Sequence, residues 1–463
     1  MERPNIVVIL SDEHTGSAAG WAGHPRIRTP HLDRLAAQSV SFDRAFTNSP
    51  MCVPSRFSLM TGRYVHEIGA WDNGVIPGPD FRSWGHHLRD YQTVIAGRTH
   101  FNGPDRLLGF DRRLTDDLDF WIDHSGRPPR RTAEWRRLTN SHVTEYGAGE
   151  HVHTRHDVEA TDAALDFLRD PGKEPYLLYV GYMHPHFPLV APPEFRDRYD
   201  PADVDLPPAP SDDQHPVISL LRHGFRNDEP ITEEQAREAT ACYWALISHL
   251  DHQIGRLLAA IPDDTVVLYI SDHGEMAGHH GIWQKQCFYE PAVHIPFLLR
   301  HPALDPARTT APVSLIDILP TLRAIAGLAP DPTLPGTSLL RPVPVDRPIL
   351  SEYHAQGMIN AGYMLRSGPW KYCYYGPTDP PRNSSTWTPT RWNYTTWSAV
   401  DPTWSPGSTP LSERSSTPIR PTTARTQSRQ RELTERPTVL VMTSDAQAVR
   451  DGCGRFLDVV DVR

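Results

Sequence analysis

Short apolar runs along the chain predict buried strands, and polar side chains follow each run. The runs occupy residues 5–10, 176–182 and 265–270. Their lengths of six or seven residues are typical of strands buried on both faces. Asp12, His184 and Asp272 come within two residues of the predicted strand ends. Because sites in open α/β sheets assemble at the carboxyl ends of the strands, we expect these side chains to lie together.

Between the strands, apolar residues recur with the period of a helix. Thr29 and Pro30 have the residue types of a helix N-cap and a first helical position. Residues 233–260 carry a long amphipathic pattern, and residues 314–327 predict a further helix that stops at Gly327. Strands that alternate with helices predict an α/β fold.

Three segments depart from this alternation. Residues 101–140 and 196–230 are polar and rich in Pro and Arg, and we interpret them as long surface insertions. From residue 383 the composition changes, because 20 of the residues in 383–430 are Ser or Thr. Neither the strand period nor the helix period is visible in this stretch.

Charge and cysteine content exclude some classes of function. The formal net charge is −10, whereas a general nucleic-acid-binding protein presents a basic face. Five cysteines without close spacing argue against a disulfide framework and favour a reducing compartment, hence a cytoplasmic protein. The apolar run at 5–10 is too short for a signal peptide or a membrane span. We therefore expect no nucleic-acid partner and no membrane association, and the sequence leaves the oligomeric state open.

The most informative motif lies at residues 49–63, which read Ser-Pro-Met-Cys-Val-Pro-Ser-Arg-Phe-Ser-Leu-Met-Thr-Gly-Arg. The stretch resembles the signature Cys-x-Pro-Ser-Arg followed by Leu-x-Thr-Gly-Arg of the formylglycine-dependent (type I) sulfatases. The resemblance implies that Cys52 is converted to formylglycine and that a formylglycine-generating enzyme is a partner. Pro54 and Ser55 suit a helix start, which would place Cys52 at a helix N-terminus that favours an anion such as sulfate.

The resemblance also implies a metal site. Asp12 and Glu13 follow the first strand, and Asp272 and His273 follow the third. Hard oxygen ligands from separate strand ends suit a divalent cation, Ca²⁺ first, with Mg²⁺ or Mn²⁺ as alternatives. Glu13 departs from the family pattern, which has Asp or Gln at the second position.

Further positions match the family one at a time. Gly97-Arg98-Thr99-His100 resembles Gly-Lys-x-His, with Arg in place of Lys, and His184-Pro185-His186 resembles His-x-Pro. Lys285 is one of only three Lys among 46 basic residues and follows Asp-His-Gly as a substrate-contacting Lys does in sulfatases. Asn73 resembles a sulfate-contacting Asn of the choline-sulfatase and phosphonate-hydrolase branches. The matches imply that the catalytic residues are Cys52, Arg56, His100, His186 and Lys285, and that the substrate-binding residues are Asn73, Arg98, Thr99 and His184.

The resemblance implies hydrolysis of a small-molecule sulfate ester to an alcohol and inorganic sulfate. Hydrated formylglycine would attack sulfur with the help of the cation. Arg56 and Lys285 would hold the sulfate oxygens. His186 or Lys285 would protonate the leaving alcohol, and His100 would accept the proton that is lost when sulfate is expelled.

The implied fold is that of the alkaline-phosphatase-like superfamily: a large mixed, mostly parallel sheet flanked by helices, with a small C-terminal antiparallel subdomain. We assign 1–345 to the sulfatase catalytic domain, 346–382 to the start of an incomplete C-terminal subdomain, and 383–463 to an aberrant tail. Two alternatives stay open. One is a phosphonate or phosphate monoester hydrolase on the same fold, and the other is an inactive family member.

The aberrant tail leads to a prediction about the gene. The family continues with a Leu-Phe-Asp-Leu segment that is missing here. One permitted choice of codons for residues 383–397, read in a frame shifted by one base, gives Glu-Leu-Phe-Asp-Leu-Asp-Pro-Asp-Ala-Val-Glu-Leu-His-Asp-Leu. We therefore expect the nucleotide sequence to contain those codons. Codons that do not allow this translation would instead favour a Ser/Thr/Pro-rich disordered tail.

Overall fold

The structure, a computed structural model, describes residues 3–118, 140–172, 174–210, 214–355 and 361–375, together with the backbone of 395–399. The chain divides into two units, Met1–Thr409 and Pro410–Arg463, and all described residues belong to the first. Most of the predicted tail at 383–463 and much of the predicted insertion at 101–140 therefore lie outside the described residues. No helix in the described ranges is long and apolar enough to cross a membrane.

The strands are β1 (Ile6–Asp12), β2 (Val40–Phe46), β3 (Gln92–Gly97), β4 (Arg112–Arg113), β5 (Tyr146–Ala148), β6 (Tyr176–Pro185), β7 (Leu189–Ala191), β8 (Val266–Ser271), β9 (Phe297–Arg300), β10 (Ala307–Ser314), β11 (Ile349–Tyr353), β12 (Gly362–Ser367), β13 (Trp370–Tyr375) and β14 (Thr395–Ala399). The helices are α1 (Pro30–Ala37), α2 (Cys52–Thr61), α3 (Val65–Ile68), α4 (Trp84–His87), α5 (Ser141–Thr144), α6 (Val152–Arg169), α7 (Pro193–Arg196), α8 (Pro216–Gly224), α9 (Glu233–Leu258), α10 (Glu290–Val293) and α11 (Ile318–Ile325). Short 3-10 turns occur at Pro201–Asp203, His279–Gly281 and Leu315–Asp317.

Eight strands form one large sheet, in the order β10-β2-β9-β8-β1-β6-β3-β4. All neighbouring pairs are parallel except the two made by β9, which runs antiparallel to β2 and to β8. The three predicted strands are β1, β6 and β8, which lie side by side at the centre. The expected α/β fold with a mixed, mostly parallel sheet is confirmed, and the carboxyl ends of β1, β3, β6 and β8 share one edge.

Helices cover both faces of this sheet. Val8 and Leu10 of β1 face an apolar cluster that includes residues of α2 and α11. Val7 and Ile9 face a second cluster that includes residues of α1, α6 and α9. Because successive side chains of a strand point to opposite faces, a run that is apolar throughout is what a doubly covered strand requires.

Helix α1 begins where the sequence predicts, but a different side chain caps it. The hydroxyl of Thr29 donates to Asp33, 2.9 Å away, and does not cap the helix. Instead, the Asp251 carboxylate of α9 accepts from the backbone N–H groups of His31 and Leu32, at 3.1 and 2.7 Å. A negative charge at this end of a helix is stabilising, so α9 fixes the position of α1.

The predicted surface insertions are partly incorporated into the fold. Strand β4 extends the large sheet beside β3, and Asp117 behind it is buried. Helix α8 buries Val217 and Leu221 in an apolar cluster shared with the small C-terminal sheet. The interpretation of 101–140 and 196–230 as surface insertions is therefore wrong for these parts. These segments are polar on average, but they contain single apolar and acidic residues that are buried, and composition alone does not reveal them.

The C-terminal region forms the expected small antiparallel sheet, in the order β11-β12-β13-β14. Strand β14 lies beyond residue 383, and it pairs with β13 through Trp370↔Ala399 and Cys373↔Thr395. The sequence did not indicate this strand. The stretch has no alternation, but its Thr-Thr-Trp sequence contains residue types of high strand propensity.

A buried ion pair joins the large sheet to this C-terminal region. Asp317 is fully buried, and both its oxygens accept from the Arg347 guanidinium, at 2.7 and 2.8 Å. The same carboxylate accepts from the backbone N–H groups of Ser314 and Thr337, each at 2.8 Å. The carboxylate therefore holds together the segments on either side of α11.

We expect Asp317→Asn to lower the free energy of unfolding by about 3–5 kcal/mol, because it removes the charge of a fully buried carboxylate and leaves the Arg347 guanidinium, only 14% exposed, without its counter-charge. Urea unfolding measures this change. Asp90→Asn is the control, since it removes an exposed pair with Arg3 and should cost less than about 1 kcal/mol. Equal effects of the two substitutions would contradict the role given to Asp317.

Candidate active site

Four predicted residues converge at the carboxyl edge of the large sheet. Asp12, Cys52, Asp272 and His273 are all buried, and one candidate ligand atom from each lies within 4.8 Å of the others. The Cys52 Sγ is 3.2 Å from Nε2 of His273 and 3.8 Å from Oδ1 of Asp12. The strand ends of β1 and β8 supply three of these residues, and the start of α2 supplies the fourth.

Cys52 is the first residue of helix α2, two positions earlier than the predicted start at Pro54. Asn73 accepts a hydrogen bond from the backbone N–H of Val53, 3.0 Å away, and so satisfies one donor of the helix terminus. Burial, with the negative charges of Asp12 and Asp272, raises the pKa of the Cys52 thiol to about 12. As a thiol, this side chain is therefore protonated and a poor nucleophile at neutral pH.

Arg56 is fully buried, one turn along α2 from Cys52, and organises both carboxylates. Its Nε donates to Oδ2 of Asp272 at 2.9 Å, and its Nη2 donates to Oδ2 of Asp12 at 3.0 Å. Although burial opposes ionisation, Arg98, His186, Arg56 and His273 hold the pKa of Asp12 well below its usual range. The Oδ1 atoms of Asp12 and Asp272 are left on the side of Cys52 and His273, each 3.7 Å from Nε2 of His273.

His273 is held in the tautomer that suits ligation. Its Nδ1 lies 3.1 Å from the carbonyl oxygen of Gly274 and donates to it, so the neutral ring presents an Nε2 lone pair to the carboxylates. Two carboxylate oxygens and one imidazole nitrogen from two strand ends therefore face one point. This donor set suits a divalent cation.

Glu13 lies beside this group but makes a different contact. It has a positive φ of 71°, and its carboxylate is 2.9 Å from Nζ of Lys285 and 3.5 Å from Nε2 of His186. Burial raises the pKa of Glu13. Burial opposes the charge of Lys285, but the acidic groups of Cys52, Glu13 and Asp12 raise its pKa. Lys285 is thus a buried ammonium beside the Cys52 group.

The sequence model of the Sulfatase family matches residues 4–328. The chain belongs to the sulfatase family. It is 32% identical to the choline-sulfatase of Rhizobium meliloti, over 80% of this chain and 78% of that protein. It is 30% identical to arylsulfatase K of Mus musculus, over 81% of this chain and 72% of that protein. Together the family and these relatives identify a sulfuric ester hydrolase.

Solved structures agree on the fold of the sulfatase. The phosphonate monoester hydrolase from Silicibacter pomeroyi superposes with a TM-score of 0.67 at 22% identity, covering 81% of this chain and 88% of that chain. A putative sulfatase from Bacteroides thetaiotaomicron superposes with a TM-score of 0.62 at 21% identity, covering 81% and 83% of the two chains. The expected architecture, a large and mostly parallel sheet flanked by helices with a small antiparallel sheet, is therefore that of these solved structures.

The Arg98-Thr99-His100 segment of the sulfatase contacts two carboxylates, Asp12 and Asp117, and the sequence did not indicate the second. Arg98 donates from Nε to Oδ2 of Asp12 at 2.7 Å and from Nη2 to Nδ1 of His100 at 3.0 Å. The backbone N–H and the hydroxyl of Thr99 both donate to Asp117, at 2.8 and 2.9 Å. Thr99 also accepts from Arg113 at 2.6 Å. The structure therefore directs Arg98 and His100 toward the Cys52 group and Thr99 toward Asp117.

His184 and Asn73, two of the predicted substrate-binding residues, both make polar contacts within the protein. In the described part of the chain, His184 makes polar contacts with Asp157 and His249. Asn73 uses its Oδ1 on helix α2. Sequence reasoning missed Asp157 because nothing in its helical surroundings marks a carboxylate that turns toward a strand end.

Glu275 is a further residue that sequence reasoning passed over. It is buried, and one carboxylate oxygen accepts from the backbone N–H groups of Ala277 and Gln284, at 2.8 and 2.7 Å. These bonds close the loop that carries Lys285 back to the site. Its place immediately after Asp-His-Gly was the signal that could have identified it.

We expect Arg56→Lys to weaken Ca²⁺ binding by the sulfatase about 10- to 100-fold, because one ammonium cannot hold Asp12 and Asp272 as the guanidinium does. Isothermal titration calorimetry measures the affinity. Arg63→Lys is the matched control, because Arg63 lies just beyond the end of α2 and is partly exposed. Unchanged affinity in Arg56→Lys would show that the carboxylates do not depend on Arg56.

Proposed function

We propose that this sulfatase hydrolyses a small-molecule sulfate ester to an alcohol and sulfate, using formylglycine formed from Cys52 and a divalent cation. The observation that carries the proposal is the position of the Cys52 Sγ. It lies at the N-terminus of α2, within reach of Oδ1 of Asp12 and Nε2 of His273. A nucleophile there would have the cation ligands on one side and the Lys285 ammonium close by.

The donor set supports a cation at this point. Asp12, Asp272 and His273 would hold it, with Glu13 as a fourth candidate whose carboxylate now pairs with Lys285. Ca²⁺ suits the carboxylate oxygens, and the imidazole also allows Mg²⁺ or Mn²⁺. When bound, the cation supplies positive charge that favours a deprotonated nucleophile and stabilises the charge on the transferred sulfate.

The state of Cys52 supports its modification. A buried thiol with a pKa of about 12 supplies little thiolate at neutral pH. Formylglycine supplies a hydrated aldehyde, which is a nucleophile that can also release sulfate without attack by water on a stable ester.

Lys285 and His186 are suited to bind the ester and to move a proton. The Lys285 Nζ lies 3.1 Å from Nε2 of His186. His186 donates from Nδ1 to the carbonyl oxygen of Phe187 at 2.6 Å, so its neutral ring accepts a hydrogen bond from the Lys285 ammonium at Nε2. We assign to this pair the binding of a sulfate oxygen and the protonation of the leaving alcohol.

Arg98 and His100 lie on the other side of the cation ligands. Because Arg98 donates to Nδ1 of His100, the neutral His100 ring carries its proton on Nε2. In this tautomer His100 is a hydrogen-bond donor at Nε2 and cannot take up a proton there. We therefore assign to His100 the donation of a hydrogen bond from Nε2 to a sulfate oxygen, and it can accept the proton released when sulfate leaves only after Arg98 has moved away from Nδ1.

We expect mass spectrometry to find formylglycine at Cys52 in protein that is co-expressed with a formylglycine-generating enzyme. Cys287 is an internal control, because it is equally buried but lacks the signature, and it should remain a thiol. Modified protein should cleave an aryl sulfate faster than a phosphate or phosphonate monoester.

Other outcomes separate the alternatives. A faster rate on phosphonate or phosphate monoesters would favour the hydrolase that shares this fold. Bound cation and formylglycine without turnover of any ester would favour an inactive family member. An unmodified Cys52 thiol in active protein would contradict the proposed nucleophile.

A further inference from the structure

A second group of candidate metal ligands lies at the junction of α6, β6 and α9, separate from the Cys52 group. Asp157, His184 and His249 are all buried, and their ligand atoms lie within 4.8 Å of one another. Nδ1 of His184 is 3.0 Å from Oδ2 of Asp157 and 3.0 Å from Nδ1 of His249. These two separations are close to those around a small tetrahedral ion, since ligand distances of about 2.0 Å place neighbouring donors about 3.3 Å apart.

The three side chains do not have enough hydrogen atoms to make a hydrogen bond at each of these contacts. A single proton on Nδ1 of His184 must serve both Asp157 and His249, whose facing atoms are acceptors when unprotonated. Nδ1 of His249 faces Nδ1 of His184 at 3.0 Å, so only one of these two nitrogens can carry a proton. A cation between the three atoms would satisfy all of them at once.

A fourth imidazole lies beside the same carboxylate. His156 is buried, and its Nδ1 is 3.6 Å from Oδ1 of Asp157. Neither ring nitrogen of His156 has a hydrogen-bond partner among the described residues. Buried imidazoles normally find such partners, so His156 is available to the cluster.

A cavity lies next to the cluster, on the side of His249. Its volume is about 580 Å³, and His249 and Gln253 are among its lining residues. Three carboxylates and two guanidinium groups also line it, from Glu150, Glu159, Glu194, Arg155 and Arg198. Acidic groups are thus in excess by one, which favours the entry of a cation.

We propose that Asp157, His184 and His249 form a second cation site that selects Zn²⁺, with His156 or water from the cavity in the fourth position. Two imidazoles and one carboxylate are a typical zinc donor set, whereas Ca²⁺ prefers oxygen ligands alone. Gln253 lies 3.2 Å from Nε2 of His249. It supports the site when its amide is turned so that the oxygen accepts from this nitrogen.

The site would fix the end of β6. The Asp157 carboxylate already accepts from the backbone N–H groups of Met183 and His184, at 2.6 and 3.0 Å. A bound ion would add a link to His249 of α9. The strand end that leads to His186 would then be fastened to two helices, and the inference does not depend on the reaction proposed above.

The test uses the full-length protein, stripped of metal and then saturated with Ca²⁺. Co²⁺ added as a spectroscopic substitute for Zn²⁺ should bind at one equivalent, show visible absorption typical of four nitrogen and oxygen ligands, and be displaced by Zn²⁺. His249→Gln should weaken Zn²⁺ binding by about 100-fold or more. His252→Gln, an exposed histidine of the same helix, and Asp12→Asn, which disables the other group, should retain it.

Absence of Zn²⁺ and Co²⁺ binding in folded wild-type protein would overturn the proposal without any variant. Loss of binding in Asp12→Asn, or a thiolate-to-cobalt absorption band, would assign the ion to the Cys52 group and would also overturn it. If His249→Gln does not fold, Gln253→Leu replaces it, with an expected weakening of about 10- to 100-fold. Unchanged affinity in whichever of the two variants folds contradicts the assignment.

Discussion

The buried charge of Arg56 is the constraint on which the site depends. A guanidinium without solvent is costly unless counter-charges surround it, and here the counter-charges are the carboxylates at the ends of β1 and β8. The ion pairs therefore do two things together. They fix helix α2 against the sheet edge, and they turn one oxygen of each carboxylate toward Cys52. A change at Arg56 disturbs the packing of α2 and the donor geometry at once.

Residues at strand ends could be predicted, and residues that support them could not. Asp12 and Asp272 follow apolar runs, so the sequence indicates both the strands and the edge where they meet. Asp117 and Glu275 act through backbone N–H groups, and such contacts leave no periodic pattern. The orientation of Glu13 toward Lys285 also depends on a positive φ, which no side-chain pattern specifies.

The strands likewise divide into those that the sequence predicts and those that it does not. Doubly covered strands are apolar throughout and are visible in the sequence, as β1, β6 and β8 show. Edge strands are short or polar, so β4 and β14 were missed. The capping of α1 by Asp251 shows a further limit, because the helix start is local but the residue that satisfies it comes from another helix.

The ion pair between Asp317 and Arg347 has a consequence for how the gene can vary. It anchors the C-terminal sheet through residues that precede 383, and every candidate active-site residue lies at or before Lys285. A change of reading frame after residue 382 would thus rewrite the end of the protein while the chemical groups and their supports stayed encoded. The active-site residues and the end of the chain can therefore change independently in the course of evolution.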